Sequence, residues 1–388
     1  MKQQLKWTPI GVSLLVLLGM SSPAMAQDKS PIDLQLGGYF IQSVNLVDVD
    51  KEGTSSFEDE VLAQNGEIYL KAKTILPEGT EIGVRIELEA EGASEDLIDE
   101  HYLYIKADWG KVILGAENGV GHLMQVRAPR FVPGLKMFDN SITETIIEEA
   151  YDLQFDAVNV IQDAHMSTKL EHISGDVIKF SYLSPKVGGL QLAASFTPNN
   201  RDRNGSKNNV ATSSRPHDDV IQEDIIELAM RITGTYRSLG YRLSYSDVSS
   251  DTLNSAIDPQ STSTGLQLYW SDWIFGANLS KYDNLGELPG EQYLNSESIE
   301  TLNYALKYKR GDSYWGLGFT ESEESETNVA GNVTEYEEIM IGGGRKIAAG
   351  VEFGYYYQIT EVDRPLAGDG EETSAETASL GLTLALTF

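Results

Sequence analysis

Apolar side chains occupy every second position at the end of the chain: Leu380, Leu382, Leu384, Leu386 and Phe388. Small or weakly polar residues lie between them. Strict period-two alternation predicts a β-strand with one apolar and one polar face. The same pattern recurs near 34–47, at 67–74, 82–89 and 102–109, and repeatedly between 190 and 357. Charged residues keep to one face of these segments, so the sequence predicts an all-β fold.

Short turns and long polar connections alternate along the chain. Tight turns rich in Gly, Pro and Asp are predicted at 76–79, 108–111, 184–188, 237–240, 271–273 and 310–313. Polar stretches lie near 49–65, 117–176, 198–222, 248–263, 284–299, 321–333 and 363–376. Short turns on one side and long loops on the other are typical of membrane barrels. The pattern predicts a transmembrane antiparallel β-barrel of about 16 strands, each of about 10 residues.

A soluble β-sandwich is the main alternative for such strands. Its solvated face would carry mixed polarity, whereas a lipid-facing barrel surface must exclude charge at mid-height. There each Lys or Arg would cost roughly 2–4 kcal/mol. The predicted outward rows contain neither residue, which favours the barrel. The chain is also rich in tyrosine, with 19 Tyr against 11 Phe, and tyrosine suits a belt at the membrane interface.

The amino terminus predicts export. Lys2 and Lys6 precede an apolar stretch at 10–20, and small residues follow up to Ala26. These are the three regions of a secretory signal peptide, so we expect cleavage after Ala26 and a barrel domain over 27–388. The apolar stretch is too short for a membrane-spanning helix, which needs about 18 residues. A retained, uncleaved anchor is the alternative.

The charge and cysteine content exclude several classes of function. The full chain has a net charge of −30. Residues 1–26 hold two lysines and no acids, so the exported part is more acidic still, and we expect no nucleic-acid partner. The chain has no cysteine, which excludes disulfides, thiol catalysis and Cys-based metal sites. Stability must therefore come from a large closed architecture.

Two segments resemble the general (diffusion) porins of Gram-negative bacteria. Residues 108–115 resemble the turn and strand that enter the constriction loop of that family, and residues 179–192 resemble the strand, Ser-Pro turn and Gly-Leu strand that follow it. The resemblance implies a homotrimer of sixteen-stranded barrels in the outer membrane. Each barrel would be a water-filled pore narrowed by its long third external loop folded inward, here 117–176. The second external loop, 91–96, is shorter than the family's loop that often latches onto a neighbouring subunit.

The resemblance also implies a role for the terminal Phe388. It implies that this residue and its strand are the membrane-insertion signal that the barrel-assembly machinery reads. The other expected partners are outer-membrane lipid and lipopolysaccharide, together with the small hydrophilic solutes and ions that would pass through the pore.

The third loop and the early strands supply candidate pore residues. An acidic group in the loop is formed by Asp139, Glu144, Glu148, Glu149 and Asp152, and a basic wall with shared inward parity is formed by Lys71, Lys73, Arg85 and Lys106. Opposed charges at a constriction would create a transverse field that orients water and polar solutes. Solvated surface acids are the alternative for the acidic group. We expect no cofactor, apart from divalent cations that could bridge acidic loops and lipopolysaccharide.

The net selectivity has opposing contributions. Glu87, Glu89 and Glu100 could pair with the basic wall and weaken its field, while the acidic net charge favours cations at the mouth. We therefore expect a passive, cation-preferring diffusion channel.

Other functions have less support in the sequence. The five histidines show no metal-ligand spacing, and no GxSxG or phosphate-binding motif is present, so we expect no enzyme. An enzyme on the barrel surface, such as a lipase, would need a histidine in a strand. His101 is the one histidine in a predicted strand. A substrate-specific channel, for instance for sugars, is permitted by five predicted inward tyrosines, and a structural or adhesive barrel is a further alternative. The inward tyrosines are Tyr69, Tyr102, Tyr104, Tyr269 and Tyr356.

Overall fold

A computed structural model of the protein describes residues 32–51, 57–90, 98–135, 168–170, 173–200, 222–252, 258–284, 296–326, 333–365 and 372–388. Sixteen β-strands and one short helical turn, α1 at Val120–Leu123, make up the regular structure of these ranges. No helix within them is long and apolar enough to cross a membrane.

The strand bounds are β1 Asp33–Lys51, β2 Phe57–Ile75, β3 Glu81–Glu89, β4 Ile98–Ala107, β5 Gly110–Ala116, β6 Ile178–Leu183, β7 Leu190–Asn199, β8 Gln222–Tyr236, β9 Leu239–Thr252, β10 Gln260–Trp270, β11 Trp273–Asp283, β12 Ser296–Arg310, β13 Ser313–Glu326, β14 Val333–Ala348, β15 Val351–Pro365 and β16 Glu372–Thr387.

The strands form one closed barrel in which each strand pairs antiparallel with its neighbours. Strands β1 and β16 close it, with Tyr39 opposite Thr387. Phe388 extends this seam, because its backbone N–H and C=O form hydrogen bonds of 3.1 and 3.0 Å with Gly38. Closure pairs every strand on both sides, which a sheet needs in order to cross a lipid bilayer. The prediction of a transmembrane antiparallel barrel of about 16 strands is confirmed.

Side chains alternate between an apolar outer face and a polar lumen face. In β16 the side chains of Leu380 and Leu384 are 53% and 50% exposed, whereas Ser379 and Thr383 are buried. Rows of exposed Leu, Ile and Phe recur on the other strands, and Ser and Thr are common at the buried positions between them. A continuous apolar surface around a closed barrel suits contact with lipid chains.

Four tryptophans mark the rim formed by the short turns. Trp109 lies in the β4–β5 turn, Trp270 and Trp273 flank the β10–β11 turn, and Trp315 follows the β12–β13 turn. The rings of Trp273 and Trp315 each lie 4.7 Å from the ring of Tyr308, centroid to centroid. Such amphipathic rings concentrate at membrane interfaces. This rim therefore marks one boundary of the apolar band.

Several strands are longer than the predicted segments. β1 and β2 each have 19 residues and take in most of the polar stretch near 49–65 that the sequence indicates as a connection. β13 likewise continues through polar residues to Glu326. Backbone pairing can continue beyond the lipid, where both faces are solvated and the alternation fades. The turn at Gly350 between β14 and β15 also escapes prediction, because it lacks the Pro and Asp of the other turns.

Candidate functional site

One buried lysine links the two ends of the long connection between β5 and β6. Lys179 lies on the lumen face of β6 and is 2% exposed. Its Nζ donates hydrogen bonds to the backbone oxygens of Glu117 and Gly175, at the start and end of the connection. A buried ammonium is costly unless it finds such partners. Lys179 therefore fixes the two points between which the connection runs.

Glu227 of β8 forms a second link between the same two ends. Its Oε2 accepts a 2.8 Å hydrogen bond from the Gly121 N–H, and its Oε1 accepts a 2.6 Å bond from Ser174 Oγ. A Cβ at Gly119 would lie 1.8 Å from Glu227 Oε1. A side chain at position 119 would therefore displace this fully buried carboxylate from its two hydrogen bonds.

The first part of the connection, residues 117–135, is named the inner segment. Its backbone is hydrogen-bonded to lumen-facing side chains of β7, β9, β10, β11 and β16, which supply the partners that a non-helical, non-sheet backbone requires. The bonds are Val120 N to Ser195 Oγ (3.1 Å), Val126 N to Ser244 Oγ (2.8 Å), Gln267 Nε2 to Arg127 O (2.7 Å), Asn278 Nδ2 to Val126 O (3.0 Å) and Thr383 Oγ1 to Pro133 O (2.9 Å). The inner segment thus lies along the lumen side of the wall.

Lumen-facing glycines on five strands make room for the inner segment. A Cβ at Gly265 would lie 1.8 Å from the carbonyl oxygen of Val126, and one at Gly354 would lie 2.4 Å from Pro133 Cδ. Close packing leaves no space for a methyl group at such distances. We name this set the glycine groove: Gly265, Gly276, Gly316, Gly344 and Gly354.

The far end of the inner segment is held by apolar contacts. Phe131, Val132 and Leu135 are at most 2% exposed and pack in one cluster with Ile41 of β1 and Tyr356 of β15. Burying a large apolar side chain contributes roughly 1.5–3 kcal/mol. Polar links at one end and apolar packing at the other therefore fix the described part of the third loop.

The basic wall lies on the lumen face of adjacent strands β2, β3 and β4, as its predicted parity requires. Lys71 is directly opposite Arg85 in the β2–β3 register. Both cations lie over the ring of Tyr69, with Arg85 Cζ 4.6 Å and Lys71 Nζ 5.6 Å from its centroid. Like charges directly opposite each other repel, and cation–π contact offsets part of that repulsion.

Carboxylates neutralise part of the basic wall. Arg85 forms an ion pair with Glu87, one of the pairings that the sequence allows. Lys73 Nζ lies 3.8 Å from Glu81. In the described ranges, Lys71 and Lys106 form no ion pair.

One further wall cation escapes the sequence prediction. Lys111 of β5 is directly opposite Lys106 of β4, and its Nζ lies 4.9 Å from the centroid of the Tyr104 ring. The sequence assigns Lys111 to a turn, so its lumen-facing parity goes unnoticed. Lys111 lies two positions before Ile113, whose side chain is buried on the inner face of β5. This shared parity is the signal that identifies Lys111 as a lumen-facing cation.

The inner segment and the opposite wall add cations that the sequence reasoning also missed. Arg130 has an exposed side chain that lies near Tyr39 and Tyr69, and its backbone oxygen accepts a hydrogen bond from Lys307 Nζ of β12. Desolvation by surrounding protein atoms, reinforced by Arg127, lowers the pKa of the Arg130 guanidinium to about 10. The group therefore stays charged at neutral pH.

The remaining predicted residues divide into two groups. The acidic group, Asp139, Glu144, Glu148, Glu149 and Asp152, lies outside the described residues, as does the predicted signal peptide over 1–26. Phe388 is described, faces outward and is 57% exposed. His101 also belongs to the outward row of β4, beside Leu103. Among the described residues, no group of His, Cys, Asp and Glu could hold a metal ion.

These features define a transmembrane β-barrel with an apolar outer surface and a polar inner face, to which the backbone of residues 117–135 is hydrogen-bonded. Residues 12–384 match the family model of the Gram-negative porins. The chain therefore belongs to the Gram-negative porin family, whose members are typically diffusion channels of the outer membrane. No curated protein matches it.

Similar solved structures support the same fold. OmpF of Salmonella typhi, in complex with daunomycin, aligns with a TM-score of 0.57 at 13% identity over 91% of this chain and 97% of its own. Outer-membrane expressed OmpT of Vibrio cholerae aligns with a TM-score of 0.55 at 10% identity, covering 94% and 100% of the two chains. An anion-selective porin from Comamonas acidovorans aligns at 0.51 and 12% identity, covering 92% and 100%.

Proposed function

We propose that the protein is a passive, water-filled channel for small hydrophilic solutes and ions, narrowed by the inner segment. The observation that carries this proposal is the attachment of the inner segment along the wall of a sixteen-strand barrel. Barrels of this size enclose an aqueous lumen that side chains alone do not fill. A segment held against the wall reduces the opening without plugging it.

The constriction would lie between the inner segment and the basic wall. Lys71, Arg85 and Lys106 belong to β2–β4, whereas the backbone hydrogen bonds of the inner segment described above go to β7, β9, β10, β11 and β16. We also propose that the acidic group at 139–152 borders this opening and faces the basic wall. Arg85→Ala and Glu148→Gln should then change conductance and ion selectivity, and unchanged values would remove these residues from the constriction.

Solute flux into liposomes tests the channel directly. Vesicles containing the purified chain are diluted into neutral sugars of increasing size, and swelling is followed by light scattering. We expect rapid swelling for monosaccharides and a steep decline for larger sugars. Equal and negligible swelling for all sugars, with folded barrel present in the vesicles, would contradict the proposal.

The lumen tyrosines favour a general channel over a sugar-specific one. A sugar track needs exposed aromatic faces, but cations cover several of these rings. Arg85 lies over Tyr69, Lys111 over Tyr104 and Arg242 Cζ 5.2 Å from the Tyr269 centroid. Tyr356 is 1% exposed. Concentration-dependent block of ion current by one sugar would favour the specific channel.

We propose that the expected preference for cations applies only to the external mouth of the channel. The net charge of −30 attracts cations toward the acidic loops. Around the basic wall the described lumen carries several cations, two of which pair with Glu81 and Glu87. We therefore propose an acidic entrance followed by a cationic interior.

We also propose that the channel is a homotrimer. A similar OmpT of Vibrio cholerae is described in a trimer form. In this chain Gln42 and Gln64 form an exposed 3.1 Å hydrogen bond on the outer face of β1 and β2, and Gln42 lies opposite Leu384 in the apolar band. Amides facing lipid are costly, so a neighbouring subunit would stabilise this face. Native mass spectrometry should give three chains, and a monomer would contradict the proposal.

Export through a signal peptide cleaved after Ala26 remains part of the proposal. Its support is the charged, apolar and small-residue order of residues 1–26. Sequencing the amino terminus of the protein extracted from outer membranes should begin at Gln27. An intact Met1 terminus would support the retained anchor.

A further inference from the structure

Six cations converge on the lumen from opposite sides of the barrel. Lys71, Arg85, Lys106 and Lys111 belong to β2–β5, and Lys307 belongs to β12, eight strands away around the barrel from β4. Arg130 joins the two sides, because its backbone oxygen binds Lys307 while its side chain lies near Tyr39 and Tyr69. We name these six residues the cationic cluster.

The cluster contains two like-charge pairs in direct register. Lys71 lies opposite Arg85, and Lys106 lies opposite Lys111. Neighbouring cations of this kind repel each other. A small anion between them would relieve the repulsion, whereas a passing cation would add to it.

Tyrosine rings hold several of these cations in place. Arg85 is 4.6 Å from the Tyr69 ring centroid, Lys111 is 4.9 Å from that of Tyr104, and Lys307 is 4.1 Å from that of Tyr314. A ring face stabilises a cation without neutralising its charge. The cations therefore remain available to an anionic solute.

Several carboxylates lie near the cluster and keep their negative charge, and those of Glu67, Glu81 and Glu352 are hydrogen-bonded to tyrosine hydroxyls. Glu81 pairs with Lys73 and accepts a 2.8 Å hydrogen bond from Tyr104, and Glu67 and Glu352 accept bonds from Tyr39 (2.9 Å) and Tyr314 (3.0 Å). Of the cluster itself, Arg85 alone is paired with an acid, Glu87, among the described residues. Deeper in the wall, Glu100 accepts a 2.9 Å bond from Asn118.

We propose that the cationic cluster makes the interior of the channel anion-selective, so that it favours small solutes bearing carboxylate or phosphate groups despite the acidic net charge of the chain. The proposal rests on the proposed channel function and names its solute class. An acidic outer region followed by this cluster would also make permeation depend on solute charge at two successive points.

Zero-current potentials in planar bilayers test this inference. The full chain is measured under a roughly tenfold KCl gradient with about 0.1 M salt on the dilute side, where screening acts over about 10 Å. We expect a chloride-to-potassium permeability ratio above one. Potassium phosphate and potassium succinate in place of KCl then compare the two anion groups.

Three substitutions remove charge without removing the channel: Lys71→Gln, Lys111→Gln and Arg130→Gln. Each should lower the anion-to-cation permeability ratio by roughly twofold, since a unit charge about 8 Å from a permeating ion acts with opposite sign on anions and cations. Lys281→Gln is the matched control, because Lys281 pairs with Asp283 at 3.1 Å at the end of β11, away from the cluster. It should leave the ratio unchanged.

The outcomes separate the two proposals. A conducting wild-type channel that prefers potassium, with the same ratio in all three variants, would overturn the anion inference and leave the channel intact. Absence of conductance from folded wild-type barrels would overturn the channel itself. The single variants are measured separately, so that a folding defect in one leaves the other two informative.

Discussion

Substitution of one glycine should push the inner segment into the lumen. Gly265→Ala places a Cβ 1.8 Å from the carbonyl oxygen of Val126, whereas ordinary van der Waals contact begins near 3.4 Å. The Val126 carbonyl must therefore move by about 1.6 Å from the wall, given these two distances. That movement breaks its 3.0 Å hydrogen bond from Asn278 and strains the 2.8 Å bond from the Val126 N–H to Ser244.

The cost of this displacement can be estimated from the bonds involved. Each hydrogen bond contributes about 0.5–1.5 kcal/mol net, so the attachment weakens by roughly 2 kcal/mol. The bonds at Ser195 and Thr383 flank the site and should keep the rest of the segment in place. The result is a local bulge toward the pore.

Single-channel recording measures the consequence. Gly265→Ala should lower the open-channel conductance and increase current noise, because the displaced backbone narrows and loosens the opening. Gly240→Ala is the matched control on β9, where the nearest atom to the new Cβ would be Tyr269 Cβ at 3.3 Å. Conductance and noise equal to wild type in Gly265→Ala would refute the glycine groove.

Three further predictions follow from the same contacts. Phe131→Cys/Gly316→Cys should form a disulfide on mild oxidation, because a Cβ at position 316 lies 2.6 Å from Phe131 Cβ and a separation of the two by about 1.2 Å gives the roughly 3.8 Å that a disulfide requires; unchanged mobility on a non-reducing gel, as in Phe131→Cys/Gly311→Cys, would contradict it. Lys179→Met should lower the free energy of unfolding by about 3 kcal/mol, because it leaves the buried backbone oxygens of Glu117 and Gly175 without their donor, and urea titration of the barrel should detect this against Lys186→Met in an exposed turn. Deletion of Phe388 should reduce the amount of folded barrel in outer membranes, because the β1–β16 seam loses two hydrogen bonds; levels matching Thr387→Ala would argue against an insertion role.

The fold is predictable because alternation is a local property of the sequence. Each run such as Leu380–Leu386 identifies its own strand, and turns rich in Gly and Pro separate the runs. The same parity groups Lys71, Lys73, Arg85 and Lys106 on the face of β2–β4 opposite the apolar outer row. Strand ends beyond the lipid are not predictable in this way, because neither face is required to be apolar there.

The path of the inner segment depends on contacts between residues far apart in sequence. Lys179 and Glu227 look like ordinary strand charges until the barrel closes and brings both ends of the loop to them. Gly265 and Gly354 are more informative, because glycine at a lumen-facing position weakens a strand unless another backbone approaches it. A search for such glycines would have predicted the groove. Arg130 offers no comparable signal.

Stepwise insertion into planar bilayers tests the channel assignment most directly. The purified full chain should produce discrete conductance steps with an ohmic current–voltage relation, as expected for a water-filled pore through a sixteen-strand barrel. Folded barrels that insert into the bilayer yet leave the current at baseline would contradict the assignment.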